Sequence, residues 1–171
     1  MDFGTYRVKW NIMKTINNYF GKNILLVFFL FLGSAAFAQN KESDIKKSVE
    51  SKSFIFHAQT ALPLSGSTRQ LTSDYDLKVS ENSITSYLPF FGRAYSVNYG
   101  STNGGFEFTS TKFDYSSEPR KKGGWEISIK PKDVQDFKEF FLTLSSDGYG
   151  TLQAISNNRQ AISFNGYITP K

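Results

Sequence analysis

Residues 71–88 read LTSDYDLKVSENSITSYL, and their pattern decides the fold. Leu71, Ser73, Tyr75, Leu77 and Val79 alternate with Thr72, Asp74, Asp76 and Lys78. A period of two is that of a strand with one face on a core and the other in water. Glu81-Asn82 makes a turn, and Ser83 to Leu88 returns as the partner strand. Pro89 ends it, because proline cannot donate to a ladder.

The same period recurs on both sides. Upstream, Phe54, Phe56 and Ala58 alternate with Ile55, His57 and Gln59 until Pro63 and Gly66 break the run. Downstream, Phe106 and Phe108 open a strand, but Phe113 and Tyr115 have the opposite parity. That change asks for a bulge between them or for cover on both faces. After the loop SSEPRKKGG (116–124), Trp125, Ile127 and Ile129 alternate with polar residues. Pro131 to Phe137 predicts one helical turn, and Phe140, Leu142 and Leu144 another strand. Asp147-Gly148 signals a type I′ hairpin. Leu152 and Ala154 continue the core face, and Asn157-Asn158 marks a second tight turn, since Asn tolerates positive φ. Ile162, Phe164 and Ile168 form the last strand. No segment is a helix long enough for a parallel crossover. The expectation is a mainly β protein: an antiparallel meander of about eight strands, closing as a lipocalin-like barrel or folding as a sandwich, with a short N-terminal helix.

The N-terminus reads differently. Arg7, Lys9, Lys14 and Lys22 precede the apolar run ILLVFFLFL (24–32), and Ala36-Phe37-Ala38 fits an A-x-A cleavage pattern. Residues 1–38 therefore read as a signal peptide, with Gln39 as the new N-terminus and translation starting at Met1 or Met13. The apolar run falls short of the roughly 20 residues that span a bilayer. Residues 39–52, QNKESDIKKSVESK, are a polar leader or a short helix, in which Ile45 and Val49 give one thin apolar stripe. Residues 53–171 are a single β domain. Cleavage leaves 133 residues with 16 basic and 14 acidic side chains, net +2, which gives no case for nucleic-acid binding. There is no cysteine, so the core stabilises the fold without staples. The expected location is exported, periplasmic or secreted, with no membrane span after cleavage.

Four segments carry a family resemblance: LTSDYDLKV (71–79), YLPFFGRAY (87–95), KKGGWEISIKPKD (121–133) and GYGTLQAISNNRQAISFNGYI (148–168). With them the chain resembles the exported Bacteroidetes proteins grouped as domain-of-unknown-function family 4251. The resemblance implies export and a single domain, and it supplies no catalytic residue.

The residues themselves offer little chemistry. His57 is the only histidine and cysteine is absent, so a histidine–metal site or a cysteine nucleophile lacks partners. His57 falls on the solvated face of its strand. Asp74 and Asp76 share a strand face, but Lys78 continues the row, as on an ordinary solvated surface. Asp133 and Asp136 flank the expected helical turn and read as caps. Gly100 to Gly105 lacks the ending of a phosphate loop. The expectation is no enzyme, no metal and no cofactor. What remains is the aromatic stretch YLPFFGRAYSVNYG (87–100). Tyr87, Tyr95 and Tyr99 offer flat rings with polar tips, Arg93 can stack between aromatics, and Phe90 and Phe91 follow Pro89 without clean alternation. These six residues are the candidate ligand site of a non-catalytic binding module for a small apolar or carbohydrate-like ligand. In the competing reading Phe90 and Phe91 plug one barrel end, and the protein is a structural or interaction protein of the cell envelope. An enclosed void would favour the first reading, a filled interior the second, and a cleft with convergent carboxylates an enzyme.

Overall fold

A computed structural model describes residues 41–95 and 104–171. The expected signal peptide and its cleavage site lie outside the described residues. A short helix, α1 (residues 41–50), precedes nine strands. These are β1 (Phe54–Pro63), β2 (Arg69–Ser80), β3 (Ser83–Leu88), β4 (Phe106–Ser110), β5 (Phe113–Pro119), β6 (Trp125–Pro131), β7 (Phe137–Leu144), β8 (Tyr149–Ser156) and β9 (Ile162–Pro170). They form one sheet in the order β4-β3-β2-β1-β9-β8-β7-β6-β5, and every pair is antiparallel.

That order fixes how the barrel closes. The first strand pairs with the last, so the meander is drawn into a nearly closed cylinder. Counting antiparallel steps around the sheet, β4 and β5 run in the same direction. They are two halves of one long strand, bent at Thr111-Lys112, the first half paired with β3 and the second with β6. The bend is the bulge that the parity change from Phe108 to Phe113 required. Both pairs of aromatics, on either side of it, pack against the core.

Asp133 holds this bend. Its carboxylate accepts from the Ser110 hydroxyl, the Thr111 N–H at 2.9 Å and the Lys112 N–H at 3.2 Å. The Lys132 N–H donates to the Lys112 carbonyl beside it at 2.7 Å. The helical turn expected over Pro131–Phe137 is absent: the segment is a bend, with Asp136 at φ 65°. Asp133 caps, but it caps the distant corner, whose exposed N–H groups have no ladder partner to satisfy them.

The inward face is apolar apart from Ser86 and Ser110, whose hydroxyls donate to the Phe106 carbonyl at 2.7 Å and to the Asp133 carboxylate. Phe54, Phe56, Phe140 and Phe164 are fully buried and fill the cylinder. α1 closes one end, with Ile45 and Val49 buried and the Tyr115 hydroxyl donating to the Val49 carbonyl at 2.9 Å. Burial pushes the Tyr115 hydroxyl far above its ordinary pKa. At the other end a chain of ring contacts runs from Phe90 through Phe106 and Phe137 to Phe140, with centroids 5.6, 5.4 and 4.3 Å apart.

Two turns depart from expectation. Gly148 has φ 87° but Asp147 does not have a positive φ, so β7 and β8 join through a wider turn closed by Ser145 and Tyr149 instead of a type I′ pair. The Asp147 carboxyl lies below its ordinary pKa, held there chiefly by the Ser145 hydroxyl. Asn157-Asn158 belongs to a longer connection that reaches Ala94 through an isolated bridge at Arg159. The alternation over 71–79 is also only half a core pattern. Leu77 and Val79 are fully buried, Ser73 is exposed and Leu71 is half-buried. Between the pairs Ala58–Tyr75 and Thr60–Gln70, β1 contributes Gln59 alone while β2 contributes Leu71, Thr72, Ser73 and Asp74. This bulge leaves residues 71–74 without ladder partners on β1, while Gln70 and Arg69 rejoin the ladder opposite Thr60 and Ala61.

Candidate functional site on the outer sheet face

The bulge leaves an open concavity of about 240 Å³ on the outside of the sheet. Its lining includes His57, Gln59, Gln70, Asp74, Asp76 and Tyr167. Each arrives there for a local reason. His57 and Asp76 alternate with buried core residues and so face outward, directly opposite each other in the β1–β2 register. Gln59 is the extra residue of β1, and Asp74 belongs to the extra residues of β2. Opposite the bulge stands Gly166, where a Cβ would lie 2.0 Å from the His57 carbonyl oxygen. Only a bare α-carbon lets β9 approach β1 so closely.

His57 is held at both nitrogens. Nδ1 lies 2.8 Å from Asp76 Oδ1 and Nε2 lies 3.0 Å from Thr169 Oγ1. The Asp76 side chain is 17% exposed, and its second oxygen is 3.9 Å from Lys78 Nζ. The sequence carboxylate–imidazole–hydroxyl is that of an acyl-transfer relay, but Thr169 does not line the concavity. Apart from Ala58 and Leu71, the groups that do line it are hydrogen-bonding side chains and phenol rings. Asp74 forms no ion pair among the described residues and is exposed.

A registered row of side chains runs through this site. Tyr149 pairs with Tyr167, Tyr167 with His57, His57 with Asp76, and Asp76 with Tyr87. All five face outward. The Tyr149 and Tyr167 rings are 5.9 Å apart and the Tyr167 and His57 rings 5.2 Å apart. Tyr87 stacks on Tyr75 at 5.5 Å and 24°. Tyr149 and Tyr87 are about half exposed, at 54% and 49%.

The six residues singled out in the aromatic stretch divide among different surroundings. Tyr87 belongs to the outer row. Phe90 is an end plug, with the Arg159 guanidinium 5.4 Å over its ring while Arg159 Nη1 donates to the Gly104 and Gly105 carbonyls. Phe91 lies under the Arg69 guanidinium at 4.7 Å. Arg93 and Tyr95 are exposed and tied by backbone to the β8–β9 connection, through Gln160 and Asn158. Tyr99 lies outside the described residues. Nothing local in the sequence marks His57, Gln59, Tyr149 and Tyr167 as one site. The signal for the row is three-dimensional: only the β8–β9–β1–β2–β3 register brings it together. Among the described residues no group of three His, Cys, Asp or Glu side chains is placed to hold a metal ion. No described helix is long and apolar enough to cross a membrane.

The fold and the outer-face site define a nearly closed, filled antiparallel β barrel. A family model described as "Domain of unknown function (DUF4251)" matches residues 36–168, and the chain belongs to that family. The crystal structure of a DUF4251 family protein from Bacteroides eggerthii DSM 20697 is similar, with 21% identity and a TM-score of 0.56. The match covers 76% of this chain and 87% of that one. At that identity the likeness carries the fold alone. None of the curated proteins matches the chain.

Proposed function

We propose that the protein is a non-catalytic binding module for a sugar-like ligand, and that the ligand sits in the outer concavity beside His57. The observation that carries this reading is the lining itself. Carboxylate, amide and imidazole groups converge next to an outward-facing tyrosine ring, and such a mixture matches the hydroxyl edge and apolar face of a pyranose. The filled interior turns the reading away from an apolar ligand in the barrel. A filled interior also suits an interaction role in the cell envelope, and retention of a protein partner with no sugar binding would move the reading there. The basic N-region, apolar run and A-x-A pattern support export to the periplasm or beyond. N-terminal sequencing of protein from its own host is expected to begin at Gln39.

The direct test is an array of neutral and acidic glycans, followed by titration calorimetry. Asp74→Ala and Tyr167→Ala are expected to weaken binding by about tenfold or more with little change in melting temperature, since both side chains face outward. Absence of any saccharide binding would refute the assignment.

A further inference from the structure

The row of side chains extends beyond the concavity on both sides. Tyr149 and Tyr87 do not line it, yet they stand in register with the residues that do. We infer that the ligand is a neutral oligosaccharide chain lying across the strands, from Tyr149 over Tyr167 and His57 to Tyr87. This rests on the reading of the concavity as a sugar site.

Three features point to a chain instead of a single sugar. The first is length. Four strand spacings of about 4.8 Å place the ends of the row about 19 Å apart along the sheet, far more than one pyranose covers. The second is repeat. Neighbouring strands are spaced by roughly the advance of one sugar unit along an extended chain, so rings on adjacent strands meet successive units. The Tyr149, Tyr167 and His57 rings, 5.9 and 5.2 Å apart, keep that spacing. The third is charge. Asp74 and Asp76 face the strip; Asp76 is 3.9 Å from the Lys78 ammonium, whereas Asp74 forms no ion pair among the described residues, and the Lys41 ammonium lies at the far end, 5.5 Å over the Tyr149 ring. At the concavity the carboxylate of Asp74, which has no ion-pair partner among the described residues, repels a polyanion such as a uronate chain or a nucleic acid and accepts hydrogen bonds from a neutral polyol. Continuity with the concavity places the tightest-held unit between Asp74 and Tyr167, with weaker stacking positions on either side.

The test is calorimetry with cello- and malto-oligosaccharides, from monosaccharide to hexasaccharide, and with oligogalacturonate as the acidic comparison. Affinity is expected to rise about tenfold or more between the monosaccharide and the tetrasaccharide of the preferred series. Tyr149→Ala should remove a large part of the gain from added units and leave the monosaccharide unchanged, and Tyr149→Phe, which keeps the ring, should restore most of it. Equal affinity for all lengths, or an unaffected Tyr149→Ala protein, would overturn the chain while the concavity still binds sugar. Preference for oligogalacturonate would overturn the charge argument and with it the neutral chain. Binding of neither neutral series would overturn both this inference and the reading of the concavity.

Discussion

Asp133 shows how much one side chain can hold. It is exposed, yet its carboxyl is drawn down from the ordinary 3.8 to about 2, first by the Ser110 hydroxyl and then by the Thr111 N–H. A group whose folded pKa is depressed adds stability above its unfolded pKa and loses that contribution as pH falls through the folded value. The contribution is therefore complete above about pH 5 and is lost progressively as the pH falls through about 2, vanishing only near about pH 1. Asp133→Asn is expected to melt below the parent at neutral pH, with the gap narrowing towards pH 2 in parallel differential scanning calorimetry. A constant gap would mean that the carboxylate charge is irrelevant to the bend. Sequence alone identified the capping chemistry of Asp133 but not its target. The target, Thr111-Lys112, lies on a corner brought near only by the closed barrel, whereas a Pro-x-Asp segment reads locally as a helix start.

At the scale of elements, α1 is a plug whose value lies in its buried stripe, because an isolated helix of this length is marginal in water. Ile45 is 3% exposed and contacts the position that a Cβ at Gly148 would occupy. Ile45→Ala is expected to cost about 2 kcal/mol or slightly more, read as a fall of several degrees in melting temperature. An unchanged melt would show that the helix does not close the barrel in solution. The Ile45–Val49 stripe was legible in the sequence, as were the strands that keep period two and the hairpin at Glu81-Asn82. The β2 bulge was not. Thr72, Ser73 and Asp74 suit a solvated strand face and a looped-out bulge equally well, and alternation cannot separate the two. The concavity was hidden for the same reason, since the bulge creates it.

For the whole molecule, the meander was readable and the closure only partly so. The opposite parities of Phe108 and Phe113 recorded the bend of the long strand, while the β1–β9 pairing left no local trace because its partners come from opposite ends of the domain. β1 and β9 each have a neighbour on both sides, whereas each half of the bent strand has one. Hydrogen exchange should therefore be slowest in β1 and β9 and fastest along the open sides of β4 and β5. Equal protection of β4, β5 and β1 would mean that the cylinder is fully closed in solution.

The β1–β9 pairing also sets a clock on biosynthesis. Phe54 pairs with Pro170, so the first strand must wait until the last has been made. At roughly 5–20 residues per second that wait is on the order of 10 s. Throughout it the first strand lacks the partner that closes the cylinder. Under the proposed export, a chain that cannot close its cylinder until its final strand is made would stay in a form that a translocation channel can thread.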